Sequence, residues 1–325
     1  MIETTYREAV NRALVEELER DERVVVFGED VAAAGGVFKT TEGLLERFGP
    51  RRIRDTPIAE QAIVGCALGA AVCGLRPVAE LMFADFAGVA YDQLANQLAK
   101  YRYMSGGQAT VPVTVRLSNG GGTGFGAQHS QSVENWFLNV PGLKICVPAT
   151  AADAYGLLRS AVQDDNPVLV FEHKLLYPQQ GSIPQDDGLV PLGKAEVARA
   201  GSDVTVVATQ LMRHRSIEAA ELLFADGIEV EVVDPRTLVP LDVETVVESV
   251  VKTSRLVCVQ ECPPAGSWGA TVVAAVVEQA WDALDARPRL VSGDETPIPY
   301  AGALEAAWLP SVERIAESIR EVVEE

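Results

Sequence analysis

Val111–Leu117, VPVTVRL, runs directly into Ser118–Trp136, SNGGGTGFGAQHSQSVENW. The first part is an apolar, β-branched run of strand length. The second is a glycine-dense loop, whose backbone can adopt positive φ and come close to a ligand. A buried strand that ends in such a loop is the way open α/β sheets present a site, since ligands gather at the carboxyl ends of strands. The loop also carries His129 between Gln128, Ser130 and Gln131. An imidazole titrates near neutrality, so His129 is a candidate for proton transfer.

The segments on either side extend the same pattern. Thr5 and Glu8 have capping-box spacing ahead of Ala9, Val10, Ala13, Leu14 and Leu18 at helical period. A strand, VVVF (Val24–Phe27), ends in Gly28-Glu29-Asp30, two carboxylates where a ligand would sit. Thr56 and Pro57 read as N-cap and first helical position, with Glu60 in the first turn of a helix rich in small residues up to the Gly74 stop. Small residues there imply close packing, and the apolar neighbours of Glu60 imply a buried carboxyl whose acidity is weakened. A strand, RPVAELMF (Arg76–Phe83), leads to Ala84-Asp85-Phe86, and a helix follows through Tyr91, Leu94, Leu98 and Tyr101. Beyond the glycine loop come a strand over Leu143–Pro148, a helix capped by Thr150 with Asp153, and a strand over Pro167–Glu172. From His173 to about Lys194 periodicity lapses into linker composition. A second unit has strands over Val204–Thr209, Ile228–Asp234 and Arg255–Glu261, helices around Ser216–Phe224 and Val243–Val251, and a terminal helix from Ser311 to Val323. The alternation predicts mostly parallel sheets with helices on both faces, in two domains covering 1–190 and 191–325.

The chain has 325 residues, 48% of them hydrophobic and 22% charged, with a net charge of −19. That charge argues against nucleic acid as a ligand, because phosphate contacts would be repulsive. No apolar run reaches the roughly 20 residues that span a bilayer. The acidic, amphipathic MIETTYREAV is unlike a signal peptide. Cys66, Cys73, Cys146, Cys258 and Cys262 form no C-x-x-C pair and read as reduced thiols of a cytoplasmic protein. No G-x-S-x-G elbow supports Ser130 or Ser132 as a nucleophile, and no P-loop is present. Gly122-Thr-Gly124-Phe-Gly126-Ala127 loosely fits a dinucleotide fingerprint, without the acidic residue expected about 20 positions on. Of the three histidines, His214 between two arginines reads as surface, and His173 as structural or site-lining.

Taken together, VVVFGEDV (24–31), RIRDTPIAEQAIVG (52–65), GLRPVAELMFADF (74–86), DQLANQLAKYRYMSGG (92–107), AQHSQS (127–132), DDNPVLVFEHKLLY (164–177), VDPRTLVPLD (233–242) and TPIPYA (296–301) follow one another in order along nearly the whole chain. In this combination the sequence resembles the beta subunit of the thiamine-diphosphate-dependent decarboxylating component of 2-oxo acid dehydrogenase complexes, a family that includes pyruvate, branched-chain and acetoin dehydrogenases. The resemblance implies two three-layer α/β/α domains, a thiamine-diphosphate pyrimidine-binding fold and a transketolase C-terminal-like domain. It implies an α2β2 heterotetramer whose alpha subunit holds most of the Mg2+-diphosphate, and the Gly-Asp-Gly motif for that ion is missing here. It further implies acyl transfer to the lipoyl group of an acyltransferase component. Pyruvate is the first substrate to consider and acetoin the second; a non-catalytic assembly paralogue and a self-sufficient transketolase-like homodimer are further options. Carried over by position, Glu60 resembles the glutamate facing the aminopyrimidine, Phe86 the aromatic against that ring, and Glu29 a residue of the same pocket. His129 resembles the histidine that assists acyl transfer to lipoyl. Val113, Ala161, Val162, Asp164 and Asn166 match a loop that holds structural potassium in several members.

Overall fold

The structure is a computed structural model that describes residues 1–186 and 188–325. Asp187, in the expected linker, lies outside the described residues. The chain divides into two compact units, one formed by 1–119 and 136–192, the other by 120–135 and 193–325. The expected cut after residue 190 falls just before this boundary, but the first unit is not continuous. The glycine loop that leaves its strand at Asn119 belongs with the second unit.

In the first unit the strands run in the order Lys144–Cys146, Val168–His173, Thr114–Asn119, Arg76–Leu81, Val24–Gly28, Ile53–Asp55, every neighbouring pair parallel. Arg76–Leu81, Thr114–Asn119 and Val168–His173 are buried along their whole length. Burial on both faces suits apolar stretches such as Val168–Phe171, and the charged Glu80, Arg116 and Glu172 on these strands are buried as ion pairs. Tyr6–Arg20 and Ala151–Gln163 both start with the expected capping boxes, Thr5 with Glu8 and Thr150 with Asp153. These two helices pack together, and Arg159 Nε donates to the buried Glu17 at 2.9 Å across their contact.

Some local expectations change. The helix of Glu60 begins at Glu60 itself, with Ala59 as an N-cap that makes no side-chain bond. Thr56 and Pro57 therefore do not cap it: a proline steers the preceding residue towards extended geometry, so the chain runs on from Ile53–Asp55 and leaves Ile58 82% exposed. The helix through Leu94 and Leu98 has a wide π-type turn over Gln93–Leu98 before Ala99–Met104. The expected linker also contains a strand, Gln180–Ile183, paired antiparallel with Ile2–Thr5.

The second unit has the strand order Arg289–Val291, Leu256–Val259, Val204–Ala208, Val230–Asp234, Glu196–Arg199. Only the Glu196–Arg199 edge is antiparallel. Val204 and Val206 face a core built with Met212, Leu223, Ile315 and Ile319 of helices Gln210–Phe224 and Val312–Glu324. Thr205, one residue out of phase, points to the opposite face. There its Oγ1 lies 2.7 Å from both Ser249 Oγ and Thr253 Oγ1 of helix Val243–Thr253. Trp268–Ala280 packs beside that helix. Helices thus cover both faces of the sheet, as the alternation predicts.

Candidate functional site

In the first unit, Val24–Gly28 has Ile53–Asp55 on one side and Arg76–Leu81 on the other, so the strand order reverses about it. Crevices at such switch points, beyond the carboxyl ends of the strands, are where open α/β sheets bind ligands. Glu29 directly follows the first of these strands, Glu60 follows the second by a short extended segment, and Phe86 follows the third within the turn Ala84–Gly88. Three candidates separated in sequence are therefore delivered by three adjacent strand ends.

Gly28 makes the approach possible, because a Cβ there would lie 2.6 Å from the Glu80 carbonyl oxygen. Asp30 has φ 54, a left-handed conformation that costs a non-glycine residue energy and recurs at functional strand ends. Between them Glu29 is 7% exposed, and its Oε1 is buried without a hydrogen-bond partner. Burial pushes the Glu29 carboxyl above the usual carboxylate range, and the charges of Glu60, Asp30 and Glu80 push it further. Glu60 is likewise 7% exposed. It lines a cavity of about 650 Å³ with Ile58, Ala62, Val89 and Gln93. This is an open cleft, with Ile58 82% and Val89 57% exposed and Glu60 as its buried polar residue, so it can seat one edge of a small organic ligand. An unpartnered, raised carboxyl beside a second carboxylate also fits a heteroaromatic ring with nitrogen donors and acceptors. Phe86 is half-buried and meets Phe83 edge to face, with centroids 6.3 Å apart.

The raised Glu29 has a sign that can be checked. Its folded form binds more protons than its unfolded form above the ordinary carboxylate range, so it lowers stability as pH rises through that window. Glu29→Gln is expected to shift the urea midpoint of the purified chain upwards at neutral pH. The gain should vanish below the ordinary carboxylate pKa; a constant gain at every pH would contradict it.

Behind Glu29 lies a buried ionic centre that the sequence did not disclose. Glu80 and Arg116 face one another in register on adjacent strands. Arg116 donates from Nε and Nη2 to the two oxygens of Glu172, each at 2.7 Å, and from Nη1 to Glu80. Tyr177 OH donates to Glu172 at 3.0 Å and lies 3.0 Å from Ser118 Oγ. Burial and the nearby Glu172 raise the Glu80 carboxyl against the lowering pull of Arg116.

Within the second unit, Gly120, Gly122, Gly124 and Gly126 all have positive φ, between 72 and 90. The loop is not an open phosphate cradle, however. Gly122 and Gly124 donate their N–H groups to Glu305 Oε1 and Oε2 at 2.8 and 2.9 Å. Gly121 donates to Glu261 Oε2 at 3.2 Å, and the same oxygen accepts from Ser132 Oγ at 2.9 Å. These carboxylates tie Gly120–Asn135 to the second unit and take the N–H groups that a dinucleotide would need. His129 stands half-buried between the anchored ends, its N–H donating to the Gly126 carbonyl at 3.2 Å.

Among the other candidates, His173 is fully buried at a strand end, where its Nδ1 accepts the Leu175 N–H at 3.2 Å. His214 is half-buried on its helix. The loop matched to potassium is engaged by this chain's own donors. Arg76 donates to the carbonyls of Val162 and Asp164 at 2.9 and 2.7 Å, and Val168 N–H to the carbonyl of Val113 at 2.9 Å. The Ala161 carbonyl accepts from Asp164 N–H at 3.2 Å. Lys144 pairs with the Asp164 carboxylate, and Arg102 donates to Asn166 Oδ1 at 2.6 Å.

Residues 3–180 match the family described as transketolase, pyrimidine binding domain, and residues 193–315 match transketolase, C-terminal domain. The beta subunit of the pyruvate dehydrogenase E1 component of Rhizobium meliloti is 45% identical, over 99% of this chain and 70% of that protein. The beta subunit of acetoin:2,6-dichlorophenolindophenol oxidoreductase of Cupriavidus necator is also 45% identical, over 97% and 96%. So is the beta subunit of 2-oxoisovalerate dehydrogenase of Bacillus subtilis, over 98% of each. A solved chain titled split gene transketolase, inactive beta4 tetramer, superposes with a TM-score of 0.79 at 26% identity, covering 99% of this chain and 98% of that one. With the two-unit α/β architecture and these matches, the chain belongs to the transketolase-like beta subunits of the pyruvate, branched-chain 2-oxo acid and acetoin dehydrogenase family.

Proposed function

We propose that this chain is the beta half of a thiamine-diphosphate-dependent 2-oxo acid dehydrogenase that decarboxylates pyruvate and passes the acyl group to a lipoyl domain. The observation that carries this reading is the meeting of Glu29, Glu60 and the Phe86 turn at three adjacent strand ends about the switch point. Thiamine diphosphate, when bound, supplies the nucleophilic carbon and the electron sink for decarboxylation. Glu60, 7% exposed and so with little access to water, would hold and move a proton at a pyrimidine nitrogen of the bound cofactor. Glu29, its carboxyl raised above the usual range by burial and by the charge of Glu60, is a second group beside it able to carry a proton, and Phe86 would offer an aromatic surface to the ring.

The acidic lining explains why a partner is needed. The charges of Glu60, Asp30 and Glu80 all act on Glu29 at this strand end, and a diphosphate placed among these carboxylates would be repelled. We therefore assign the diphosphate and its Mg2+ to an alpha subunit in an α2β2 assembly. The transketolase chain of the same fold that is titled an inactive beta4 tetramer is in keeping with that division. Potassium has no part in this proposal, because Arg76, Lys144 and Arg102 already supply positive charge to the loop that would hold it.

His129 would then serve the second half-reaction: as one lipoyl sulfur takes the acyl group and the S–S bond opens, it would give a proton to the other, departing sulfur. The test is a complex reconstituted with its alpha subunit and a lipoyl domain, supplied with pyruvate, 2-oxoisovalerate or acetoin. Pyruvate is expected to give the highest kcat/KM, and a higher value with acetoin would replace it by the acetoin-cleaving reading. His129→Ala is expected to lower lipoyl acylation by about 100-fold or more, in the range of general acid catalysis, with a much smaller loss of decarboxylation measured by an artificial electron acceptor. Equal losses in both assays would remove His129 from the transfer step.

A further inference from the structure

The glycine loop is held from both sides of His129 by carboxylates of its own unit. Glu305 is 2% exposed, and both of its oxygens are occupied by loop N–H groups, those of Gly122 and Gly124. Glu261, also buried, holds Gly121 ahead of the histidine and Ser132 three residues beyond it. The loop ends are further joined where Gly120 N–H donates to the Gln131 carbonyl at 3.3 Å. A run with four positive-φ glycines has many accessible conformations, and only Thr123 and Phe125 among residues 120–126 carry side chains that could help select one. Its shape must then come from the acceptors its N–H groups meet.

We propose that Glu305 and Glu261 are positioning residues that fix the His129 loop in the form needed for acyl transfer. An ionised carboxylate suits this task because it accepts at both oxygens, whereas a glutamine amide accepts at one and sets its NH2 against the other N–H. Glu305 therefore reads the spacing of two N–H groups separated by one residue, and Glu261 joins the approach to the exit of the loop. Both act through the backbone, so neither needs to touch substrate. The proposal rests on the transfer role assigned to His129.

The test uses the reconstituted complex with Glu305→Gln, and with Ser132→Ala as a milder variant that removes a single bond to Glu261. Amide hydrogen exchange in 120–126 is expected to quicken at least tenfold in Glu305→Gln. The KM for the lipoyl domain should rise, and lipoyl acylation should fall about tenfold more than decarboxylation with an artificial acceptor. Ser132→Ala should move the same quantities the same way by less, and it carries the test if Glu305→Gln does not assemble. Unchanged exchange would overturn the clamp, and equal loss of both activities would reduce it to a structural role. If His129→Ala spares acylation while exchange still quickens in Glu305→Gln, the reading of His129 fails and the clamp stands as a purely conformational device, which also overturns the proposal of a transfer role.

Discussion

Glu60→Gln is expected to lower cofactor-dependent decarboxylation in the reconstituted complex by about 10²- to 10⁴-fold, the range for loss of a positioned proton-transfer group. Glutamine keeps the volume of the side chain and can still hydrogen-bond a heteroaromatic nitrogen, but it cannot exchange a proton with it. The fold should tolerate the change. Glu60 is the first residue of helix Glu60–Val72, where losing a carboxylate from the positive end of the helix costs only about 0.3–1 kcal/mol. The variant should therefore assemble, melt within a few degrees of wild type and bind cofactor weakly yet measurably. Glu29→Gln supplies the contrast, since it removes a neighbouring carboxylate that has no hydrogen-bond partner of its own at Oε1. Turnover close to wild type in Glu60→Gln would exclude Glu60 as the proton-transfer group, whatever the family to which the chain belongs.

The parts of this molecule that were legible in advance are those whose cause lies within a few residues. Thr5 with Glu8 and Thr150 with Asp153 announce helices because both halves of a capping box are three residues apart. Glu29 and Glu60 could be singled out because a strand end and a helix start each fix where the next side chain goes. Thr56-Pro57 misled for a physical reason: the same dipeptide that opens many helices also prolongs an extended chain, and here the extension carries Ile58 outwards before the helix begins at Glu60. Short edge strands such as Glu196–Arg199 and Arg289–Val291 have too few residues to show a period, and pairing with a neighbour defines them. What local patterns could not disclose is long-range pairing of charge. Gly122 and Glu305 are 183 residues apart, and Gly121 and Glu261 are 140 apart. The only trace of them was indirect, in that a loop with so many bare N–H groups requires acceptors somewhere in the fold.

Arg116→Met is expected to destabilise the chain by about 3–5 kcal/mol, the usual result of removing one partner from a buried ion network. That is a large part of the roughly 5–15 kcal/mol that holds a domain folded. Arg116 is 2% exposed and neutralises two carboxylates, Glu172 and Glu80, that are buried almost as fully in the centre of the first sheet. Methionine fills much the same space, so the loss would measure stranded charge more than a cavity. Its pH dependence separates the two causes. Glu80 is already raised by burial, and losing Arg116 removes the influence that lowers it. The folded variant would then bind more protons than the unfolded chain, and its deficit should shrink as pH falls into the carboxylate range. A cavity would cost the same at every pH. Replacing all three charges, with Glu80→Gln and Glu172→Gln added to Arg116→Met, should recover most of the stability, since a neutral network leaves no ion to desolvate and glutamine at 172 can still accept from Tyr177 OH. If the single variant loses less than about 1 kcal/mol, water reaches these carboxylates. The network would then be no barrier between the sheet interior and Glu29, and the raised Glu29 carboxyl would have to be explained without the charge of Glu80 behind it.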